Sequence, residues 1–79
     1  MTQCPQVVLQ MIELQNFFLT MEKPRKKTNA HADAVQRVRE FGRAIKTVEG
    51  SSKYRSYLPG PEIIEFCKKL QSDVLKILK

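Results

Sequence analysis

The residue types best suited to hold a metal or act as a nucleophile are the single histidine, His31, and two cysteines, Cys4 and Cys67. Asp33 is the only acid near His31 in sequence, and residues two apart on a helix point in different directions. His31, Cys4 and Cys67 are still one ligand short of the four that a structural zinc site needs. No base stands at a spacing that would activate either thiol. No Gly-rich phosphate loop is present, because Leu58-Pro59-Gly60-Pro61 reads as a stiff helix entry. These residues predict no enzyme, no metal and no cofactor. Cys4 and Cys67 lie far apart and read as two unpaired thiols, as in a reducing compartment. The expected location is intracellular, nuclear or cytoplasmic.

Charge is the stronger signal. The net charge is +6, from 14 Lys and Arg against 8 acids. Residues 1–22 hold two acids and no Lys or Arg, whereas residues 23–57 hold ten Lys and Arg against three acids. Lys23, Arg25, Lys26 and Lys27 crowd into one short loop around Pro24. Such a run suits an import signal or a phosphate-contacting arm. Thr28 follows it directly and has the setting of a site for a basic-directed kinase. Arg39, Arg43 and Lys46 recur at i, i+4 and i+7, so on a helix they share one face. That face suits phosphates or an acidic partner.

These side chains need helices to position them. Pro5 opens an apolar, helix-periodic stretch that runs to Met21, and Pro24 closes it. Thr2 or Cys4 would stand ahead of it. A second helix is expected from Ala30 to Glu49. Thr28 or Asn29 caps its start, Asp33 sits in its first turn, and Gly50 follows at the place that accepts a left-handed residue. Ala34, Val35, Val38, Phe41, Ile45 and Val48 form its apolar stripe. Gly42 within it marks a close helix contact. Tyr54, Tyr57 and Leu58 fit a single extra helical turn that plugs one end of the core. The third helix begins at Pro61 and runs through Leu78, with Glu62 and Glu65 early and Lys76 and Lys79 late. Its apolar side carries Ile63, Ile64, Phe66, Cys67, Leu70, Val74, Ile77 and Leu78.

The expected fold is therefore all-α: one small three-helix bundle over residues 1–79, with one short added turn. No stretch reaches the roughly 18 apolar residues of a membrane span. The first helix is apolar over about half its circumference, which is more than one neighbour covers. Gln15 points to the middle of that arc, where a buried amide would need a partner at both ends. Leu9 and Phe17 lie on its shoulders. Leu9, Gln15 and Phe17 are thus the candidate contacts for a partner.

Lys46-Thr47-Val48-Glu49-Gly50, closing the second helix and followed by Tyr54 and a third helix, resembles the same region of the KIX coactivator domain. That resemblance implies a three-helix module binding amphipathic helices in hydrophobic grooves. The likeness is confined to this short segment. Pro59-Gly60-Pro61 breaks the chain where that family begins its third helix, and the third helix here lacks the family's aromatic pair. No residue's role is carried over from it.

With no catalytic constellation, the expected function is a protein-interaction module that docks a partner helix or self-associates. The alternative is nucleic-acid binding through Lys23, Arg25, Lys26, Lys27, Arg39, Arg43 and Lys46. The basic segment lacks interleaved aromatic rings for base stacking. The gap between the second and third helices also exceeds a helix-turn-helix turn.

Overall fold

The structure, a computed structural model, describes residues 4–79. Thr2, named above as a residue ahead of the first helix, lies outside them. Four helices form an all-α bundle: α1 (Gln6–Thr20), α2 (Asn29–Glu49), α3 (Ser52–Arg55) and α4 (Glu62–Leu78). The short α3 is the extra turn expected in the second connector. Among the described residues no helix is long and apolar enough to cross a membrane.

Local chemistry explains the helix ends. Pro5 precedes α1 instead of opening it, because its ψ of 146° is extended. Its carbonyl nevertheless accepts from the backbone N–H of both Val8 and Leu9, at 3.1 Å each. Thr28 caps α2: its Oγ1 accepts from the His31 N–H at 3.2 Å and donates to the Arg25 carbonyl at 2.6 Å. Lys27, just before it, sits at φ 67°, a left-handed conformation that is uncommon for a residue with a side chain. Asp33 is not in the first turn of α2. It lies just beyond and pairs with Arg37 at 2.8 Å.

Gly50 also departs from expectation. It is right-handed, with φ −79° and ψ −2°. The chain leaves α2 with the Gly50 N–H bonded to the Lys46 carbonyl at 3.0 Å, and no left-handed residue is needed. Ser51 then turns extended and caps α3, accepting from the Tyr54 N–H at 3.3 Å. Pro61 stands just before α4 in right-handed geometry, while Glu62 and Glu65 occupy the first turn, where the helix dipole favours acids.

The long helix α2 is the spine. At 21 residues and 1.5 Å per residue it extends about 32 Å. Both α1 and α4 lie along it, and they touch each other far less. Phe41, Met11, Val8, Val38, Val48 and Cys67 are the largest fully buried side chains. Burial of a ring such as that of Phe41 contributes roughly 1.5–3 kcal/mol. Phe18 packs on Phe41, with ring centroids 5.5 Å apart. Tyr54, Tyr57 and Leu58 pack against the core's edge from the connector, as their spacing predicts.

Gly42 faces Gln71 of α4: a Cβ at this position would collide with the Gln71 side-chain Nε2. Near the other end, Nε2 of His31 lies 2.9 Å from the Leu78 carbonyl. A carbonyl only accepts, so this nitrogen carries a proton and ties the end of α4 to the start of α2. His31 is half-buried and makes a structural bond across helices.

Candidate functional site

Two surfaces stand out. The first is a cleft between α2 and α4. A cavity of about 510 Å³ is lined by Arg39, Arg43, Lys46, Lys68, Gly42 and Gln71, together with Ile45 and Glu49. A smaller one of about 200 Å³ continues it towards the end of α4, between Val35, Arg39, Leu75 and Lys79. The helical spacing that predicts a shared face for Arg39, Arg43 and Lys46 is realised, and all three are exposed.

The acids here do not neutralise that stripe. Glu40 and Glu49 are the nearby candidates, but Glu49 pairs with Lys68 across the cleft. Lys68 also reaches Glu65 at 3.9 Å. The hydrogen bond to Glu49 and the charges of Glu49 and Glu65 hold the Lys68 proton above the ordinary lysine range, against some desolvation. Among the described residues Arg39, Arg43 and Lys46 join no ion pair. Sequence reasoning missed Lys68 and Gln71 as the opposite wall. Gly42 was the signal for them, because it shows where α4 comes close.

The basic loop is exposed at Lys23, Arg25, Lys26 and Lys27. These four do not line the cleft. Sequence reasoning grouped them with Arg39, Arg43 and Lys46; the structure separates loop from cleft.

The second surface is apolar. Leu9 is 42% exposed, as its place on the shoulder of the first helix predicts. Phe17 is not an open contact. The Arg37 guanidinium covers it at 4.5 Å from the ring centroid, and Phe18 packs edge-on at 5.2 Å. Such a cation–π contact contributes roughly 0.5–1 kcal/mol near the surface.

Gln15 is not at the centre of a buried arc. It is half-exposed, and no polar side chain is buried among the described residues. The reason is geometric. The buried line of α1 runs through Val8, Met11, Leu14 and Phe18, and Gln15 lies off that line.

The exposed apolar residues that sequence reasoning did not single out are Leu19 at 54%, Phe66 at 46%, Leu75 at 42% and Ile77 at 42%. All but Leu75 belong to an apolar arc recognised in the sequence, at its margin. On α4, Ile64, Cys67, Val74 and Leu78 face inward. Phe66, Leu70 and Ile77 follow one another on the flank of that stripe. Leu75 lies on the opposite flank, against Val35 and Arg39 in the cleft. The Phe66 flank is therefore the one turned towards α1.

Both cysteines are free thiols, Cys4 half-buried and Cys67 fully buried. Burial pushes the Cys67 thiol up to about 11, which disfavours the reactive thiolate. Among the described residues no three His, Cys, Asp or Glu side chains are grouped to hold a metal. Compared with known protein families, curated proteins and solved structures, the chain matches none.

Proposed function

We propose that this chain is a non-catalytic protein-interaction module that docks an apolar helical surface along the seam between α1 and α4. One observation carries the reading. Leu9, Leu19, Phe66 and Ile77, each 42–54% exposed, border two helices that share a spine but hardly touch each other. Scattered exposed leucines are ordinary, but a row bordering one seam marks an interaction surface. The test is site-specific photo-cross-linking in cells that express the chain, with the reactive group at position 66. Adducts should form and should disappear when Leu9 and Leu19 become Ser. Adduct formation no greater than from position 53, on the distant α3, would sink the reading.

A second reading, nucleic-acid binding, is favoured by the α2–α4 cleft. Arg39, Arg43 and Lys46 line it without an acidic partner among the described residues. Adjacent positions of this stripe stand about 4.5–6 Å apart along the helix axis, close enough to contact neighbouring phosphates of one strand. The exposed loop at Lys23–Lys27 would add further cations or serve nuclear import. Fluorescence anisotropy of labelled DNA and RNA decides. Binding that persists at physiological salt and falls with Arg39→Ala plus Arg43→Ala supports this reading. Binding seen only at low salt leaves the cations as solvated surface.

A further inference from the structure

We propose that the α2–α4 cleft binds an acidic peptide segment of another protein, with the partner's carboxylates on Arg39, Arg43 and Lys46 and an apolar side chain beside Leu75. The cleft lies on the flank of α4 opposite Phe66. The proposal therefore stands or falls separately from the face at Leu9, Leu19, Phe66 and Ile77.

Three contacts set the run of the cleft. In order along α2, His31 meets Leu78, Gly42 meets Gln71 and Glu49 pairs with Lys68. Numbers rise on α2 while they fall on α4, so the two helices are antiparallel. From Val35 to Glu49 the cleft extends about 21 Å, at 1.5 Å per residue. That length takes about 14 residues of helix or about six of extended chain.

Its chemistry changes along that length. Towards Leu78, the smaller cavity is lined by Val35, Val38 and Leu75, and Leu75 is 42% exposed. At the other end Arg43, Lys46 and Lys68 surround the larger cavity, and Arg39 lines both. Glu49 is the acid of this lining, and Lys68 already holds it. Arg39, Arg43 and Lys46 join no ion pair among the described residues. Like charges one turn apart repel, and carboxylates supplied from outside relieve that repulsion.

Between the two ends lies Gln71, half-buried against Gly42. Among the described residues its amide takes part in no hydrogen bond. A glutamine amide both donates and accepts. A peptide backbone answers both roles, whereas a phosphate only accepts. No aromatic ring lines either cavity, so nucleic-acid bases would find nothing to stack on. A strand would also carry its phosphates past Glu49 and across the apolar end. A peptide can place acids at one end and an apolar side chain at the other. This division of charge favours a peptide over a nucleic-acid strand.

The experiment is fluorescence anisotropy with the whole chain at physiological salt. The probe is a labelled synthetic peptide of about 14 residues, made of Glu and Ala with leucines in its first or its last turn. Circular dichroism confirms that each variant is folded. One of the two peptides should bind saturably, and its versions with Gln for Glu or Ser for Leu should not. Arg43→Glu/Lys46→Glu should weaken binding by about tenfold or more. Arg25→Glu/Lys26→Glu changes the net charge equally, but in the basic loop, and should leave binding nearly unchanged. Leu75→Ser should weaken it by about fivefold, the loss of one partly buried leucine.

Absence of saturable binding, equal weakening by the loop and cleft variants, or a Leu75→Ser chain that binds like wild type would each overturn the proposal. If a labelled DNA or RNA strand binds more tightly than the peptide and is lost with Arg43→Glu/Lys46→Glu, the cleft is a nucleic-acid site and the proposal falls. If Leu9→Ser/Leu19→Ser abolishes peptide binding and the cleft variants do not, the peptide sits on the other face and the proposal falls too. Cross-links from position 66 test that other face by themselves.

Discussion

Cys67 shows how one residue's environment becomes a solution property. It packs in the core with no solvent exposure, and burial pushes its thiol up to about 11. The unfolded chain loses this proton near pH 9, while the folded chain keeps it to about pH 11. The thiol's contribution is therefore fully present below pH 9 and is lost as pH rises through that window. The loss should amount to roughly 2–3 kcal/mol. Urea midpoints measured across the window check this against Cys67→Ala, which should decline less steeply. Equal slopes in the two proteins would show that other groups carry the effect. Phe17 and Gln15 carry the complementary lesson. Their residue types suggested an open contact and a buried amide. Their neighbours made them a ring under Arg37 and a half-exposed amide.

At the scale of the element, the N-terminus of α2 is held by one hydroxyl. Thr28 Oγ1 accepts from His31 N–H and donates to the Arg25 carbonyl. Removing it exposes an orphan donor of the first turn and releases the basic loop. Thr28→Ala should cost about 1 kcal/mol, and Thr28→Ser or Thr28→Asp should recover most of that. Denaturant titration reads the loss. If Thr28→Ala matches wild type, water satisfies the helix start equally well. Helix existence and limits were largely legible in sequence. Expected spans of 5–21, 30–49 and 61–78 meet observed ones of Gln6–Thr20, Asn29–Glu49 and Glu62–Leu78. Prolines, caps and apolar periods act within a few residues of where they stand, so they can be read without the fold. The left-handed Gly50 failed because the chain found a right-handed exit, closed by Ser51 and α3.

At the scale of the whole molecule, the margin of stability is narrow. A domain of 79 residues typically has a few to about ten kcal/mol in hand. Phe41 sits on α2 with no solvent exposure and packs on Phe18 from α1. Phe41→Ala should cost about 3–5 kcal/mol and leave a substantial unfolded population at room temperature. Helical circular dichroism and a urea titration report it. A cost under about 1 kcal/mol would mean that the core closes readily around the gap. The molecule is also two-sided: cations line the α2–α4 cleft, and apolar residues border the α1–α4 seam.

Composition, spacing and punctuation determined the all-α class, the limits of three long helices, the extra turn and the shared face of Arg39, Arg43 and Lys46. All of these depend on contacts within one or two helical turns. Tertiary structure alone decided that α1 and α4 both lie along α2 and scarcely touch. It left Leu19, Phe66 and Ile77 exposed. It also placed Lys68 and Gln71 opposite the cationic stripe, and Arg37 over Phe17. A helical period identifies which residues share an arc, but an arc wider than one neighbour leaves open which part is covered. Only the relative placement of three helices resolves that, because it joins residues far apart in the chain.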